Sequence, residues 1–564
     1  MSDASLSSSS STSSLLEEDP QRIWQIDNNH NVINTIANND ASVRFLSISQ
    51  AGYEPDPDIL QYMAQTDGSK QLDLLGELVG INTHIKELRL IGEGSGIDPF
   101  FAGLSNNKSI SRIDLYWFED GQKIRLLYPF FKGNRNLTEL NINDCILGRE
   151  GCRLLASAIG KYISPLTSFC IDSNADEVDG HGDEDLAVII QALNLRPQLL
   201  QELTITGETI GLRTVVALEN LLCHATEIHT LDLRDNFMHD EVASNHMSVV
   251  LAAAMRSSNL VSLNLQQWTG GIDIGEEGID VLANYLPKSN LMHLDLACTI
   301  IPGSGERVDA LAVALPMSNL VSLNLSTIHI GTSGVKALAR ALKADPLLEN
   351  LSLHCCGISG AGVEAIAEAL ANNSHLKEID LSNDSLSTIH HNVITSGCWM
   401  AFLNTLCDTS TVNKTYLSNH TLEDISNQAQ WLPRDEGLLP RPEDVVSALE
   451  LNRCDDKVLV AIEKILKHHR HFDIQPFLQW DFKILPLLVG WLEMASYING
   501  TVVTRKLTVV YDFVQALPEL FVLTYSLQEL SSLRDEQSKL CVIQLEWIDL
   551  ELRCAEIEHR LAML

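Results

Sequence analysis

The feature that most constrains this chain is a repeat. The octapeptide SNLVSLNL occurs twice, at Ser258–Leu265 and Ser318–Leu325, with SNLMHLDL (Ser289–Leu296) between them. The three copies start 31 and then 29 residues apart. A second element recurs downstream: LGREGCRLLASAI (Leu147–Ile159), IGEEGIDVLANYL (Ile274–Leu286), IGTSGVKALARAL (Ile330–Leu342) and ISGAGVEAIAEAL (Ile358–Leu370) align without gaps. Self-similarity at this period means one supersecondary unit used many times, each packing only on its neighbours. A length of 564 residues then does not require several globular domains.

Each unit reads as strand, loop, helix. In L-x-x-L-x-L the last two leucines alternate, as in a strand with one buried face. The second element opens with a Gly-containing turn, after which apolar residues such as Val335, Leu338, Ala339 and Leu342 fall on one helical face. One unit cannot shield both apolar surfaces, so neighbours must stack. Strand centres fall near Leu46–Ile48, Leu88–Leu90, Ile113–Leu115, Leu140–Ile142, Phe169–Ile171 and Leu203–Ile205, then near Leu231–Leu233, Leu263–Leu265, Leu294–Leu296, Leu323–Leu325, Leu351–Leu353 and Ile379–Leu381. A degenerate last copy is expected near Tyr416–Leu417, giving about 12 or 13 repeats of about 28–29 residues. Gln50–His84 reads as a long insertion in the first repeat.

The unit LENLSLHCCGISGAGVEAIAEALANNSH (Leu348–His375) resembles the ribonuclease-inhibitor subtype of leucine-rich repeats, with Cys356 at the Asn/Cys position and Ile358 after it. The resemblance spans roughly Ile33–Asn427. It implies an α/β horseshoe solenoid with a parallel sheet on the concave face and helices outside. It also implies protein binding, since such repeats serve as recognition surfaces in ribonuclease inhibitors and in the sensor arms of innate immune receptors. Phe118, Trp268, Thr299 and Ile328 stand where the family has Asn, so the horseshoe is expected to be irregular.

The expected organisation is a Ser-rich disordered tail over 1–19, repeats over 20–427, a linker over 428–443 and a small α-helical domain over 444–564. The opening MSDASLSSSSSTSSLLEEDP has neither a basic start nor an apolar core, so it does not read as a signal peptide. Ile484–Val503 is apolar but contains Pro486, Gly490, Glu493 and Asn499, which suits a buried helix better than a membrane span. In the last segment Leu533, Leu540, Trp547, Cys554 and Leu561 recur every seven residues, as do Ile543, Leu550, Ile557 and Leu564. This helix either packs inside the terminal domain or self-associates as a coiled coil through Leu533–Leu564.

Net charge is −35, from 39 Lys+Arg against 74 Asp+Glu. Nucleic acid needs Lys and Arg to displace phosphate counterions, so it is excluded as a partner, as are anionic membranes. The acidity either only keeps the chain soluble or attracts a basic protein. The 12 Cys include no C-x-x-C, which fits scattered reduced thiols in a cytoplasmic (or nuclear) protein rather than a disulfide framework or zinc site.

Three motifs test for chemistry. GEGSG (Gly92–Gly96) follows a strand, but it lacks dinucleotide spacing and reads as an ordinary repeat loop. Asp172–Asp185 alternates oxygen ligands, but Glu177 and Asp183 stand where a calcium loop needs Gly and Glu. KHHRHFD (Lys467–Asp473) reads as a surface helix end whose cations suit the C-terminal dipole. No P-loop and no H-E-x-x-H occurs, so neither cofactor nor metal is expected and the chain reads as non-enzymatic.

What remains is a partner-binding surface on the concave face. Its candidates are Arg89, Asp114, Tyr116, Trp117, Asp232, Arg234, Asp235, Asp295, His354 and Asp380. Tyr116 and Trp117 are the expected anchor, since aromatics dominate interface energetics, although Trp117 could instead fold under an irregular loop. The aspartates would form a negative stripe for a basic partner protein. The alternative function is regulation of a small GTPase, because some GTPase-activating proteins share this repeat type. This chain has no acidic tail and no arginine that matches theirs.

Overall fold

The structure, a computed structural model, describes residues 34–48, 69–92, 98–118, 121–163, 165–173, 181–238, 241–267, 274–299, 304–383, 391–426 and 441–469. The Ser-rich tail, most of GEGSG and the heptad segment lie outside these residues. The chain divides into two compact units, 1–408 with 418–455 and 409–417 with 456–564.

Among the described residues, the first unit is built on one all-parallel sheet of thirteen strands. They begin with β1 (Phe45–Ile48), β2 (Glu87–Ile91), β3 (Arg112–Tyr116), β4 (Glu139–Asn143), β5 (Ser168–Asp172) and β6 (Glu202–Thr206). After a short β7 (Thr209–Ile210) come β8 (Thr230–Asp232), the short β9 (Phe237–Met238), β10 (Ser262–Asn264), β11 (His293–Asp295), β12 (Ser322–Asn324), β13 (Asn350–Ser352), β14 (Glu378–Asp380) and β15 (Asp424–Ser426). β7 and β9 pair only with each other, in a two-stranded sheet beside the main one. Parallel neighbours need a crossover, and helices such as Gly148–Lys161, Gly331–Lys343 and Gly360–Ala369 supply it.

All twelve strand centres read from the leucine pattern fall at strands of this sheet. Leu88, Ile113, Leu140, Phe169 and Leu203 are register partners along the sheet, and all are buried. The opposing stripe comes from the helices: Val335, Leu338 and Leu342 are buried in Gly331–Lys343. A buried Leu contributes about 1.5–3 kcal/mol relative to exposure, so the stacked columns drive the fold.

Buried asparagines close the seams that leucines cannot. The helix-end carbonyls of one repeat need donors, and an asparagine from the next repeat reaches them. Asn107 Nδ2 donates to Val79 O (2.7 Å) and Asn82 O (3.1 Å). Asn373 donates to Leu342 O (3.0 Å), and Asn419 to Leu370 O and Asn373 O (2.8 Å each).

Three features differ from the sequence expectations. The last copy of the strand is at Asp424–Ser426, not at Tyr416–Leu417. Val412–Tyr416 is instead a short helix capped by the Thr411 side chain. Only Leu422 and Ile425 carry the pattern there, and Asn419 accepts from Leu422 N (2.9 Å) to set their register. Part of the supposed insertion Gln50–His84 is ordinary repeat, because Ser69–Ile81 forms the helix of the first unit and buries Leu72, Leu75 and Val79. Finally, Glu443–Asn452, grouped by sequence with the terminal helical region, falls in the first compact unit. Asn452 Nδ2 donates to Leu422 O (2.7 Å), as a further rung of the asparagine ladder.

In the second unit, Asp456 caps Lys457–His468 by accepting from Val458 N and Leu459 N. His469, from the His-rich segment, lies 2.8 Å from Thr415 Oγ1 through its Nε2. Among the described residues no helix is long and apolar enough to cross a membrane.

Candidate functional site

In a strand successive side chains point to opposite faces, so the face away from the helices carries the residues between the buried leucines. In register, its middle row begins Arg89, Asp114, Asn141, Cys170, Thr204, Asp232. It continues Asn264, Asp295, Asn324, Ser352, Asp380. Five of the ten candidates, Arg89, Asp114, Asp232, Asp295 and Asp380, therefore share one row. Tyr116, Trp117, Arg234, Asp235 and His354 stand at the strand exits, two or three residues beyond the row along the chain.

The exits are sharp. Trp117 (φ 52°), Asp235 (φ 57°), Thr327 (φ 59°) and Cys355 (φ 53°) are left-handed at equivalent positions, and Gly207 (φ 70°) fills the same role at no steric cost. The Asp and Asn of the middle row help to make this turn. Asp232 accepts from Arg234 N (3.1 Å), Asn264 from Gln266 N (3.0 Å), Asp295 from Ala297 N (2.9 Å), Asn324 from Ser326 N (3.0 Å) and Asp380 from Ser382 N (2.9 Å). An Asx oxygen taking the amide two residues on is an intrinsic turn former. The turn occupies one oxygen of each aspartate; the other meets Arg234 Nε at Asp232 (3.4 Å), Asn324 Nδ2 at Asp295 (3.0 Å) and Ser352 Oγ at Asp380 (3.4 Å).

Their surroundings differ. Asp114 is buried and committed to Arg112 Nε (3.0 Å) and Asn141 Nδ2 (2.7 Å), so it organises the face rather than presenting a charge. Burial raises the Asp232 carboxyl above its ordinary range, against the opposing Arg234 amide and guanidinium. Burial likewise raises Asp295, which Ala297 N and Asn324 partly counter. Asp380 joins a hydrogen-bonded chain: Ser382 Oγ donates to it (2.5 Å) and lies 2.8 Å from His354 Nδ1, while Ser352 Oγ donates to its other oxygen (3.4 Å). Burial pushes the Cys170 thiol up to about 12, so it is an unreactive neutral group.

At the first strands the character changes. Arg89 lies between two rings, with its guanidinium carbon 5.4 Å from the Phe45 centroid and 5.5 Å from that of Tyr116. Trp117 meets Tyr116 edge to face at 6.3 Å. Both of these aromatics are half-buried, which suits an anchor with one face free. The sequence reading missed Phe45 and Arg112, because no pattern within one repeat shows which side chains of adjacent repeats meet.

It also missed a buried polar network. Glu208 occupies the family's Asn position, and its Oε1 accepts from Ser173 Oγ (2.7 Å) and lies 2.9 Å from His181 Nδ1. Glu208 N donates to Asn236 Oδ1 (2.9 Å). Asp183, at the end of the acidic segment Asp172–Asp185, accepts from Gly211 N (3.0 Å) and Thr214 N (2.8 Å) at the start of the next helix. Among the described residues no group of three or more His, Cys, Asp and Glu could hold a metal ion.

No family model matches the sequence, and no curated protein does. Among solved structures the chain is similar to the leucine-rich repeat-containing protein LegL7 from Legionella pneumophila, at 17% identity and a TM-score of 0.32, over 56% of this chain and 96% of that one. It is also similar to TLR13 in its complex with ssRNA13, at 12% identity and a TM-score of 0.30, over 69% of this chain and 56% of that one. At such scores neither likeness bears on function, and the assignment of the fold rests on the sheet itself. Thirteen in-register parallel strands, crossing over through helices and stacked on columns of leucine, make this chain a leucine-rich-repeat solenoid.

Proposed function

We propose that this chain is a non-enzymatic recognition scaffold, of the ribonuclease-inhibitor-like subtype, that presents the open face of its sheet to a basic partner protein. The observation that carries the reading is the middle row of that face. Asp232, Asp295 and Asp380 stand in register on a rigid sheet, each partly exposed. Burial penalises the ionisation of Asp232 and Asp295, and a cation that restores the lost solvation would be favoured beside them. The net charge of −35 adds long-range attraction for a basic partner. A helix in nearly every unit supports the subtype. The protein works in the cytoplasm or nucleus on this reading.

The test is affinity capture from native lysate with the full chain beside an Asp232→Asn/Asp295→Asn/Asp380→Asn variant and a Tyr116→Ala/Trp117→Ala variant. Asn keeps the turn-forming oxygen, as Asn264 and Asn324 show, so the first variant should fold. The expected result is a discrete basic protein held by the wild type, lost from the Asn variant and weakened by the aromatic one. A partner retained by both variants would remove the sheet face as the binding surface.

A further inference from the structure

We infer that one edge of the solenoid is a docking surface for a short acidic segment of a partner protein. It lies where four successive helices lead into the next strand, and it carries Lys108, Lys132, Arg135, Lys161 and Arg196. The surface is separate from the sheet face, and the inference holds whether or not that face takes a basic protein.

Strands β3 to β6 are parallel and in register, so the connections leading into them lie side by side along one edge. They follow the helices Asp98–Leu104, Gln122–Gly133, Gly148–Lys161 and Asp183–Leu193, and span 105–111, 134–138, 162–167 and 194–201. None of the four contains an Asp or Glu, in a chain with 74 acidic against 39 basic residues. Lys108, Arg135 and Arg196 stand in them, and Lys132 and Lys161 in the last helical turns before them. All are exposed except Arg196, which is half-buried. Elsewhere in this acidic chain cations find carboxylates: Arg125 pairs with Glu150, Arg149 and Arg213 with Glu184, and Lys377 with Glu349. Among the described residues none of the five edge cations has an ion pair. The acids that begin the neighbouring strands are taken up, since Glu87 and Glu139 flank Arg112 in register and Glu202 accepts from Ser168 Oγ (3.0 Å). A cation in a last turn suits the helix dipole. That accounts for Lys132 and Lys161, but not for Lys108, Arg135 and Arg196, which stand beyond their helices.

The edge is preformed. Asn136 Nδ2 donates to Lys108 O (2.6 Å) and Asn134 Nδ2 to Ile110 O (2.8 Å), tying one connection to the next. Lys132 and Lys161, from adjacent helices, act on one hydroxyl, that of Tyr128. It lies 3.2 Å from Ser157 Oγ, and its ring meets that of Tyr162 edge to face at 5.9 Å. The Ser157 and Tyr162 hydroxyls, with the Lys161 and Lys132 ammoniums, hold the Tyr128 phenol below its ordinary value, so negative charge is favoured at this point.

Size selects the occupant. Three steps between four repeats span about 15–30 Å, from about 4.8 Å per strand on the inner side to about 10 Å per helix on the outer. An extended run of six residues reaches about 20 Å and stays on the edge. A nucleic acid or an anionic membrane extends past it by more than the screening length of about 8 Å. It would there meet the field of a chain of net charge −35. A short run of Asp and Glu meets only the cations.

The experiment is fluorescence anisotropy of labelled hexaglutamate titrated with the full chain at low ionic strength. Saturable binding is expected, weakened about tenfold by Lys132→Gln/Lys161→Gln. Lys108→Gln/Arg135→Gln, which alters no helix, should weaken it to a similar degree. Lys336→Gln/Arg340→Gln removes the same charge from another outer helix and should leave the affinity unchanged. No saturable binding, or equal weakening by all three variants, would overturn the inference. Oligothymidylate or phosphatidylserine vesicles bound as tightly as hexaglutamate would overturn the choice of an acidic segment. Asp232→Asn/Asp295→Asn/Asp380→Asn should bind hexaglutamate no more weakly than wild type. A loss of binding there would put the probe on the sheet face and remove the edge.

Discussion

At the scale of single residues the solenoid depends on a few polar atoms that do what leucine cannot. A leucine column closes the apolar core, but the carbonyls at helix ends and strand exits remain, and a buried one without a donor costs about 1–3 kcal/mol. Asn419 is a good place to measure this. It donates to two carbonyls of the preceding unit and accepts from Thr421 N and Leu422 N at 2.9 Å each. Asn419→Ala removes all four contacts at once. It should destabilise the C-terminal end of the repeats by about 3–5 kcal/mol, read as a lowered urea midpoint with loss of amide protection confined to the neighbouring strands. A change within 0.5 kcal/mol would mean that water replaces the side chain there.

At the scale of elements, helices on the outer side approach to different depths, and small residues decide how close. In the first two units Ser69–Ile81 and Asp98–Leu104 touch backbone to backbone. A Cβ on Gly76 would lie 2.4 Å from Phe100 O, and one on Gly103 would lie 2.1 Å from the Gly76 carbonyl carbon. The contact has no side chain that could move aside, so Gly76→Ala should force the helices apart. The expected cost is about 1–3 kcal/mol, as for an overpacked core, although Ala favours the isolated helix by about 1 kcal/mol over Gly. Limited proteolysis should then cut first at the N-terminal unit. Because repeats unfold as neighbours rather than as a whole, the central strands should keep their amide protection.

The whole molecule carries a net charge of −35, and part of that charge lies where burial opposes it. Asp232 and Asp295 have carboxyls raised above the ordinary value of 3.8. For an acid raised on folding, the native state takes up a proton before the unfolded chain does. The penalty is therefore fully present at neutral pH. It is relieved as pH falls through the raised value and is gone below the ordinary one. Asp232→Asn/Asp295→Asn should accordingly raise the urea midpoint at pH 7 and leave it unchanged at pH 3. A midpoint that falls at pH 7 would show that the two carboxylates support the fold through contacts that Asn cannot make.

The repeat unit, the parallel sheet and nearly every strand were legible in the sequence. Leucine spacing records which side of a strand is buried, and that information is local. The copy at Asp424–Ser426 was not legible, since only Leu422 and Ile425 keep the pattern and its register comes from Asn419. The same holds for Ser69–Ile81, whose place as the first outer helix shows only once it packs against Asp98–Leu104. For the candidate face, periodicity identified which residues turn away from the core, and all ten candidates lie on it or at its edge. Only the tertiary structure decided their roles. It buried Asp114 beneath Arg112, linked His354 to Asp380 through Ser382, and held Arg89 between Phe45 and Tyr116. The Arg89 and His354 contacts join residues from different repeats, 27 to 44 positions apart in the chain, and Asn141 of the next repeat completes the Asp114 site. Side-chain periodicity within one strand fixes the direction in which a residue points, whereas the stacking of one repeat on the next decides what it meets there.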